Sequence, residues 1–339
     1  MLRSASLTHV TQRATAITLA LLAIAVALLL NVAPLALARP SGVIVLADQG
    51  RLRAFDLARP QYRYPLFGSG SIDRDPAIAA HKRLLAFDRS SRRGKPVVYI
   101  AGADGALRRL IEGRQPAFSP VGGRVVVAGA EGLMIVDVAN GSHVRQLTND
   151  PNDAHPSWGK RGVIAFDRRS DTKRQVFSIR SDGTRLHQIV TIPVSVERPR
   201  WSPDGRSLLV GIKGCVARNA EGLPAARSPF FVLLVAAGCH PSGTWSPNGQ
   251  EVAIPQGQGM AIVELRHRST VGGICGVAQG VDWAGPKAGH WLVMGRAKRS
   301  RCRDLTLEKG TKVCYKGVCW YVQSPPPPGP DETPPRSPD

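Results

Sequence analysis

Cysteine is missing from the first 214 residues, and no acidic residue precedes Asp48. With Cys215 the first cysteine, a lipid attachment site near the N-terminus is excluded. The lack of early acids leaves Arg3 and Arg13 unopposed around the start of an almost unbroken apolar run, Ala14 to Leu30. Asn31 and Pro34 end that run, and Ala36-Leu37-Ala38 offers a small-x-small cleavage site. Residues 1–38 therefore read as an export signal. Seventeen apolar residues lie near the lower limit for a membrane span, so an uncleaved anchor is the alternative. Acids are scarce overall: 25 Asp+Glu stand against 45 Lys+Arg, giving a formal charge of +20. Thirty-five of those cations are Arg. Catalytic signatures are missing too. The chain has no Gly-x-Ser-x-Gly elbow, no His-Glu-x-x-His, no Walker loop and no dinucleotide fingerprint. Nucleotide-driven and zinc-peptidase chemistry are disfavoured accordingly.

What is present is globular: 339 residues, 43% apolar and 21% charged, too apolar for wholesale disorder. Gly (35) and Pro (27) are plentiful, which favours turns over long helices. A repeat runs through the chain. Trp201-Ser202-Pro203-Asp204-Gly205 returns as Trp245-Ser246-Pro247-Asn248-Gly249, with a looser copy at Phe118-Ser119-Pro120-Val121-Gly122. Shorter echoes place anchors at Ile78, Trp158 and Trp283, so the anchors are 40, 40, 43, 44 and 38 residues apart. Ser-Pro-Asp-Gly suits a type I turn, with Pro at its second place and Gly at its fourth. Each unit then supplies β-rich runs and a hairpin signal, Asp104-Gly105, Asn140-Gly141 or Asp182-Gly183. Four short strands per forty residues describe a propeller blade.

The run Gly162-Val163-Ile164-Ala165-Phe166-Asp167, continued by Gln175 to Gly183, resembles a blade of the TolB-type, WD-like six-bladed propellers. The resemblance spans roughly residues 41–295 and implies an all-β, six-bladed β-propeller. Its blades would be four-stranded and antiparallel, with the ring closed by both chain ends. Val43 to Leu46, Leu52 to Leu57 and Arg63 to Phe67 read as three strands that the strand at Trp283 completes. Trp291 to Met294 is a candidate extra strand. The domain reading is signal 1–38, propeller 39–295, a basic Cys-containing segment 296–323 with a candidate hairpin at Leu305 to Val313, and a Pro-rich tail 324–339. TolB itself carries a further N-terminal α/β domain that this chain has no room for. The resemblance therefore transfers no partner-binding residue. Prolyl-oligopeptidase enzymes add a hydrolase domain to a propeller, and only about fifty residues follow Trp283 here.

Two sets of residues are candidate sites. Asp75, Asp153, His155, Glu197 and Arg198 precede anchors and belong at a channel mouth. The three acids would either ring a metal ion or hydrogen-bond backbone amides, and the amide role is favoured because three blades lack the acid. No metal and no cofactor is expected. Arg89, Arg92, Arg93 and Lys95 fall in one loop, and Arg168, Arg169, Lys173 and Arg174 in its equivalent two blades on. Lys213 and Arg218 open the long loop of the next blade. Equivalent loops share a face, so these cations would form a rim for an acidic protein or an anionic glycan or lipid. A solubilising surface is the plainer reading. Export makes nucleic acid an unexpected partner. The anchor Trp residues are expected to pack between blades, not to stack a ligand. The six Cys read as disulfides, with fifteen pairings open that the sequence alone does not choose between; one candidate arrangement joins Cys215 with Cys239, ties Cys275 to the C-terminal segment, and pairs the remaining two of Cys302, Cys314 and Cys319 locally. A partner-binding scaffold outside the cytoplasm is the leading functional reading, and a carbohydrate lyase or hydrolase working at the channel mouth is the alternative.

Overall fold

The computed structural model describes residues 40–68, 70–91, 94–190, 194–212, 231–236, 243–256, 259–267, 269–275, 280–293, 298–299, 312–315 and 318–321. The chain is built from β-strands. The helical content among the described residues is two short 3-10 turns and the single turn α1 (Gly289–Leu292). No helix among them is long and apolar enough to cross a membrane.

Apolar runs punctuated by Gly, Pro and Asx turns fold into antiparallel meanders. The first sheet holds β1 (Val43–Asp48), β2 (Arg51–Asp56) and β3 (Tyr62–Pro65). The second holds β4 (Ile72–Ala79), β5 (Leu84–Ser90), β6 (Val97–Ala101) and β7 (Leu107–Glu112). The third is β8 (Arg114–Phe118), β9 (Arg124–Ala128), β10 (Leu133–Asp137) and β11 (Arg145–Gln146). The fourth is β12 (Asp153–Trp158), β13 (Val163–Ser170), β14 (Lys173–Arg180) and β15 (His187–Val190). β16 (Val196–Trp201), β17 (Ser207–Ile212) and β18 (Phe231–Ala236) begin the fifth. The sixth is β19 (Thr244–Trp245), β20 (Glu251–Gln256), β21 (Gly259–Glu264) and β22 (Ser269–Cys275). Then β23 (Val281–Ala284) returns to the first sheet, where Trp283 sits opposite Ile44. β24 (Lys298–Arg299) adds to that sheet beside β3, while β25 (Lys312–Tyr315) and β26 (Val318–Tyr321) extend the fifth beside β18.

This is a β-propeller with four-stranded antiparallel blades, but the described residues form five such blades and not the expected six in a closed ring. Five sheets are antiparallel throughout. The fifth sheet is mixed, because β17 and β18 run parallel, Ser207 opposite Phe231. A parallel pair needs a long crossover, and the 18 residues 213–230 supply the length. The outer place left short of chain is filled from the C-terminal segment. One further expectation is corrected. Trp291 lies in α1, not in a strand. A C-terminal hairpin β25–β26 forms, with Cys314 opposite Cys319; it takes in Lys312 and Val313, while residues 305–311 of the expected hairpin lie outside the described residues.

First strands neighbour one another in order, β4 beside β8, β8 beside β12, β12 beside β16, β16 beside β19, β19 beside β23, and β23 beside β4. Apolar layers fill the gaps between sheets. Ile44, Leu46 and Phe55 pack with Met260, Ile262 and Trp283, for example. The anchor Trp residues bridge sheets as expected. Trp245 Nε1 donates to Arg200 O at 2.9 Å, and Trp283 Nε1 to Ser41 O at 3.1 Å. The Ser-Pro-Asp-Gly turn also forms: Gly205 N–H donates to Ser202 O at 2.9 Å, and Arg206 N–H to Asp204 Oδ1 at 3.0 Å.

Candidate functional site

A repeated X-Pro step shapes the inner strands. Asp75, Gln115, His155 and Arg198 each precede a proline in β4, β8, β12 and β16. Each adopts a left-handed φ, of 45°, 56°, 49° and 56° respectively. Proline has no N–H for the ladder and keeps its predecessor out of the right-handed helical region. The strand answers with a bulge, and the register shifts at that step in all four sheets. Bulges re-aim side chains and release backbone groups from the ladder.

Three of the four bulged amides are caught by a side chain of the preceding sheet. Gln115 N–H donates to Asp88 Oδ1 at 3.0 Å, and Arg198 N–H to Asp167 Oδ2 at 2.8 Å. Asp88 and Asp167 hold the same register place, opposite Arg74 and Ala154. Ala128 fills that place in β9, opposite Arg114. His155 N–H turns instead to Gln115 Oε1 at 2.9 Å. Sheet-to-sheet straps thus link β5 to β8, β8 to β12 and β13 to β16. A comparable link joins the first sheet to the second, where Asp282 Oδ2 of β23 accepts the Ile78 N–H of β4 at 2.6 Å.

Charged groups converge around these straps. Asp167 is fully buried, with His155 Nδ1 2.8 Å from its Oδ2 and Arg174 bonded to its Oδ1. Burial alone would raise its pKa, but His155, Arg174 and the Arg198 amide outweigh burial and hold the carboxyl below its ordinary value. Arg198 Nη1 donates to Asp75 Oδ1 at 2.9 Å, a contact 123 residues apart in sequence. Asp88, 3% exposed, behaves oppositely to Asp167. Burial first, and the nearby Asp75 charge second, push it up to about 7 against the opposing Gln115 amide, Arg74 and Arg114.

The structure brings Asp75, His155 and Arg198 to equivalent places but separates the other two mouth candidates. Asp153 lies two residues before its X-Pro step and Glu197 one before. The three acids therefore do not form a ring. Asp153 is clamped by Arg168, with Nε and Nη2 at 2.6 and 2.9 Å, and also accepts the Thr148 hydroxyl at 2.5 Å. Asp73 is its true counterpart, clamped by Arg89 at 2.7 and 2.8 Å. Glu197 sits 3.7 Å from Arg174 Nε. Among the described residues no group of three His, Cys, Asp or Glu side chains is placed to share a metal ion.

The basic candidates divide in the same way, because the strands run further than the sequence suggests. Arg89 lies inside β5, and Arg168 and Arg169 inside β13, while Lys173 and Arg174 start β14. Arg89 stacks over Phe67, Phe87 and Tyr99 at 5.6, 5.2 and 5.4 Å from the ring centres. Arg168 stacks over Phe166 and Phe177 at 5.6 and 5.1 Å. Arg89, Arg168 and Arg174 are thus committed inside the fold. Arg169, Lys173 and Lys95 remain exposed. Arg92, Arg93, Lys213, Arg218, Cys215, Cys239 and Cys302 lie outside the described residues, as do 1–38 and 324–339.

A cleft of about 340 Å³ opens where β4, β5, β8 and β16 meet. Arg74, Asp75, Asp88, Arg114, Gln115 and Arg198 line it, with Ser90 and Ser91 at its edge. Sequence reasoning missed Asp88, Asp167, Gln115, Arg74 and Arg114. Two signals pointed to them: the recurring Ala-Phe-Asp-Arg at 86–89 and 165–168, and X-Pro steps spaced 40, 40 and 43 residues apart.

Comparison with known proteins agrees with the architecture. No family model matches the chain. A curated relative, an uncharacterized peptidase YuxL of Bacillus subtilis (strain 168), is 25% identical over 119 residues. That match takes in 31% of this chain and 18% of the relative, so the chain spans under a fifth of that protein. The crystal structure of TolB from Acinetobacter baumannii superposes with a TM-score of 0.55 at 18% identity, covering 73% of this chain and 67% of TolB. A chain of a nidogen/laminin complex gives 0.51 at 11% identity, covering 73% of this chain and 99% of that one. At such identities the likeness shows the fold alone, a β-propeller, and carries no activity with it.

Proposed function

We propose that this chain is an exported, non-enzymatic propeller that binds an acidic protein or another anionic partner of the cell envelope. In this reading the mixed fifth sheet serves as the sixth blade and the ring is closed through β1 and β23. The observation that carries the reading is the cleft beside the bulged strands. Arg74 and Arg114 line it, and neither side chain has a hydrogen bond or close ion pair among the described residues, although both attract the Asp88 carboxylate. Arg74 is half-buried and Arg114 exposed, so both guanidinium groups can reach a partner at this opening. Exposed Arg169 and Lys173 and the overall charge of +20 would steer anionic partners toward the molecule. The N-terminal signal and the TolB-like fold support a place outside the cytoplasm.

The test is a crosslinking pull-down from native envelopes at low and high salt, with wild type and with Arg74→Gln/Arg114→Gln. A discrete partner, lost in the double variant, is expected. A broad set that salt alone removes, equal in both proteins, would reduce the interaction to bulk charge.

One observation favours the carbohydrate-active reading instead. His155 and Asp167 form a buried pair next to the cleft, an arrangement that orients an imidazole for proton transfer. Here Asp167 Oδ2 also accepts the Arg198 amide, so the same carboxylate fastens two sheets. Turnover of a polysaccharide that disappears in His155→Ala would favour the enzyme.

A further inference from the structure

The cleft has a chemistry more specific than positive charge. Among the described residues Arg74 and Arg114 have no close ion-pair partner and act only at longer range on Asp88, whereas Arg198 is bonded to Asp75. Asp88 uses Oδ1 for the Gln115 amide, and no described residue bonds its Oδ2. Ser90 and Ser91 bring hydroxyl groups to the same opening. The volume is at the small end of those that hold a compact ligand.

We infer that this cleft recognises a single carboxylate group, held by Arg74 and Arg114 and set against the Asp88 carboxyl. Three guanidinium groups against two carboxyls leave a local charge of one to two, depending on the Asp88 proton. Either value attracts a monoanion. A planar carboxylate also fits the fork of an arginine. The inference rests on the reading of the cleft as the binding surface. The ligand could be a free hydroxylated acid or the C-terminus of a peptide, which share this chemistry.

A pH dependence follows. Every charged group lining the cleft is involved: Arg74 and Asp75 from β4, Asp88 from β5, Arg114 from β8 and Arg198 from β16. Asp88 sits near 7 when the cleft is empty. A bound carboxylate is a further like charge and raises it, so binding takes up a proton. The neutral Asp88 hydroxyl can then donate to the ligand. Affinity should be full below about 7 and fall above it, by at most about tenfold per pH unit for one proton.

Calorimetry on the purified protein would use glucuronate and N-acetyl-alanylalanine, each with its methyl ester, at pH 6 and pH 8. Repeating it in buffers of different ionisation heat counts protons. Expected results are binding of one acid or both at pH 6 with little proton uptake, weaker binding with uptake of up to one proton at pH 8, and no binding of the esters. Which acid binds identifies the source of the carboxylate. Arg74→Gln/Arg114→Gln should weaken binding by about tenfold or more, as loss of charge-assisted bonds does. Asp88→Asn keeps an acceptor for the Gln115 amide and should flatten the pH profile. Binding that ignores pH in the wild type, equal binding of esters, or no binding of either acid at pH 6 overturns the inference. The wild-type pH series stands even if a variant fails to fold. Failure here together with a salt-resistant pull-down would leave the partner reading intact, while binding here with no partner captured would leave only the carboxylate site.

Discussion

Arginine serves two opposite purposes in this chain, and burial of the opposing carboxylate separates them. Arg168 is 19% exposed at its side chain, yet Asp153 beneath it is fully buried. The guanidinium meets that carboxylate with two parallel bonds and lies on two aromatic rings. Removing it strands a charge in the interior, which typically costs about 3–5 kcal/mol. Arg168→Ala is expected to lower unfolding free energy by about that much in urea titrations, and adding Asp153→Asn should restore part of it by deleting the stranded charge. Arg168→Lys cannot reproduce the fork or the stacking and should fall between. Lys95 is the contrast: at 83% exposure and 4.0 Å from Glu112, its removal should change stability by no more than about 0.5 kcal/mol. Loss of under about 0.5 kcal/mol in Arg168→Ala would show that the clamp contributes nothing. Before the structure, Arg89 and Arg168 look like surface charge, because nothing local in the chain shows that Asp73 and Asp153 lie sixteen and fifteen residues upstream with their faces inward.

At the scale of strands, local chemistry explains what could be read and long-range pairing explains what could not. The Ser-Pro-Asp-Gly turn is satisfied within five residues, so it announces itself in one dimension. The Trp anchors repeat for the same packing reason in each sheet. The straps do not announce themselves: Asp88 meets Gln115 and Asp167 meets Arg198 across 27 and 31 residues, and each acid ends a run that otherwise reads as apolar. The parallel partnership of β17 and β18 is equally hidden, since a β-rich run carries no sign of its direction. Gly280 is another such position. It enters β23 against the backbone of β4, and a Cβ there would stand 2.7 Å from Asp75 Cα and 2.9 Å from Asp75 N. Backbone cannot yield as a side-chain tip does, so Gly280→Ala should cost about 1–3 kcal/mol. It should also disturb the cleft that Asp75 lines. Gly123→Ala, where the added methyl meets nothing within 4 Å, is the matched control and should stay near wild type. Equal melting temperatures for the two variants would mean that β23 does not press on β4.

The first sheet depends on β23, which reaches β1 from more than two hundred residues further along the chain. β1 lies between β2 and β23, and its Val43, Ile44, Val45 and Leu46 are at most 1% exposed. Ile44 and Leu46 pack with Met260 and Ile262 of the neighbouring sheet, while Val43 and Val45 pack toward Leu85 and Phe87 on the other side. Both layers therefore rely on β23 being in place. Deleting residues 280–339 would leave β1 as a flat apolar edge, a template for pairing with other chains. That truncation is expected to aggregate and to lose cooperative unfolding. Deleting only residues 294–339 keeps β23 and Asp282 but removes β24, β25 and β26, uncovering the edges of β3 and β18. It should still unfold in one transition, at lower denaturant than the full chain, because the two outer edges lose partners and the inner strands do not. Unfolding monitored by tryptophan emission separates the outcomes, since Trp201, Trp245 and Trp283 all sit at sheet-to-sheet contacts. If the longer deletion unfolded as sharply and at the same denaturant as the shorter one, the chain ends would not be holding the propeller together. Five antiparallel sheets and the mixed fifth would then have to derive their stability from neighbour contacts alone, as in an open array.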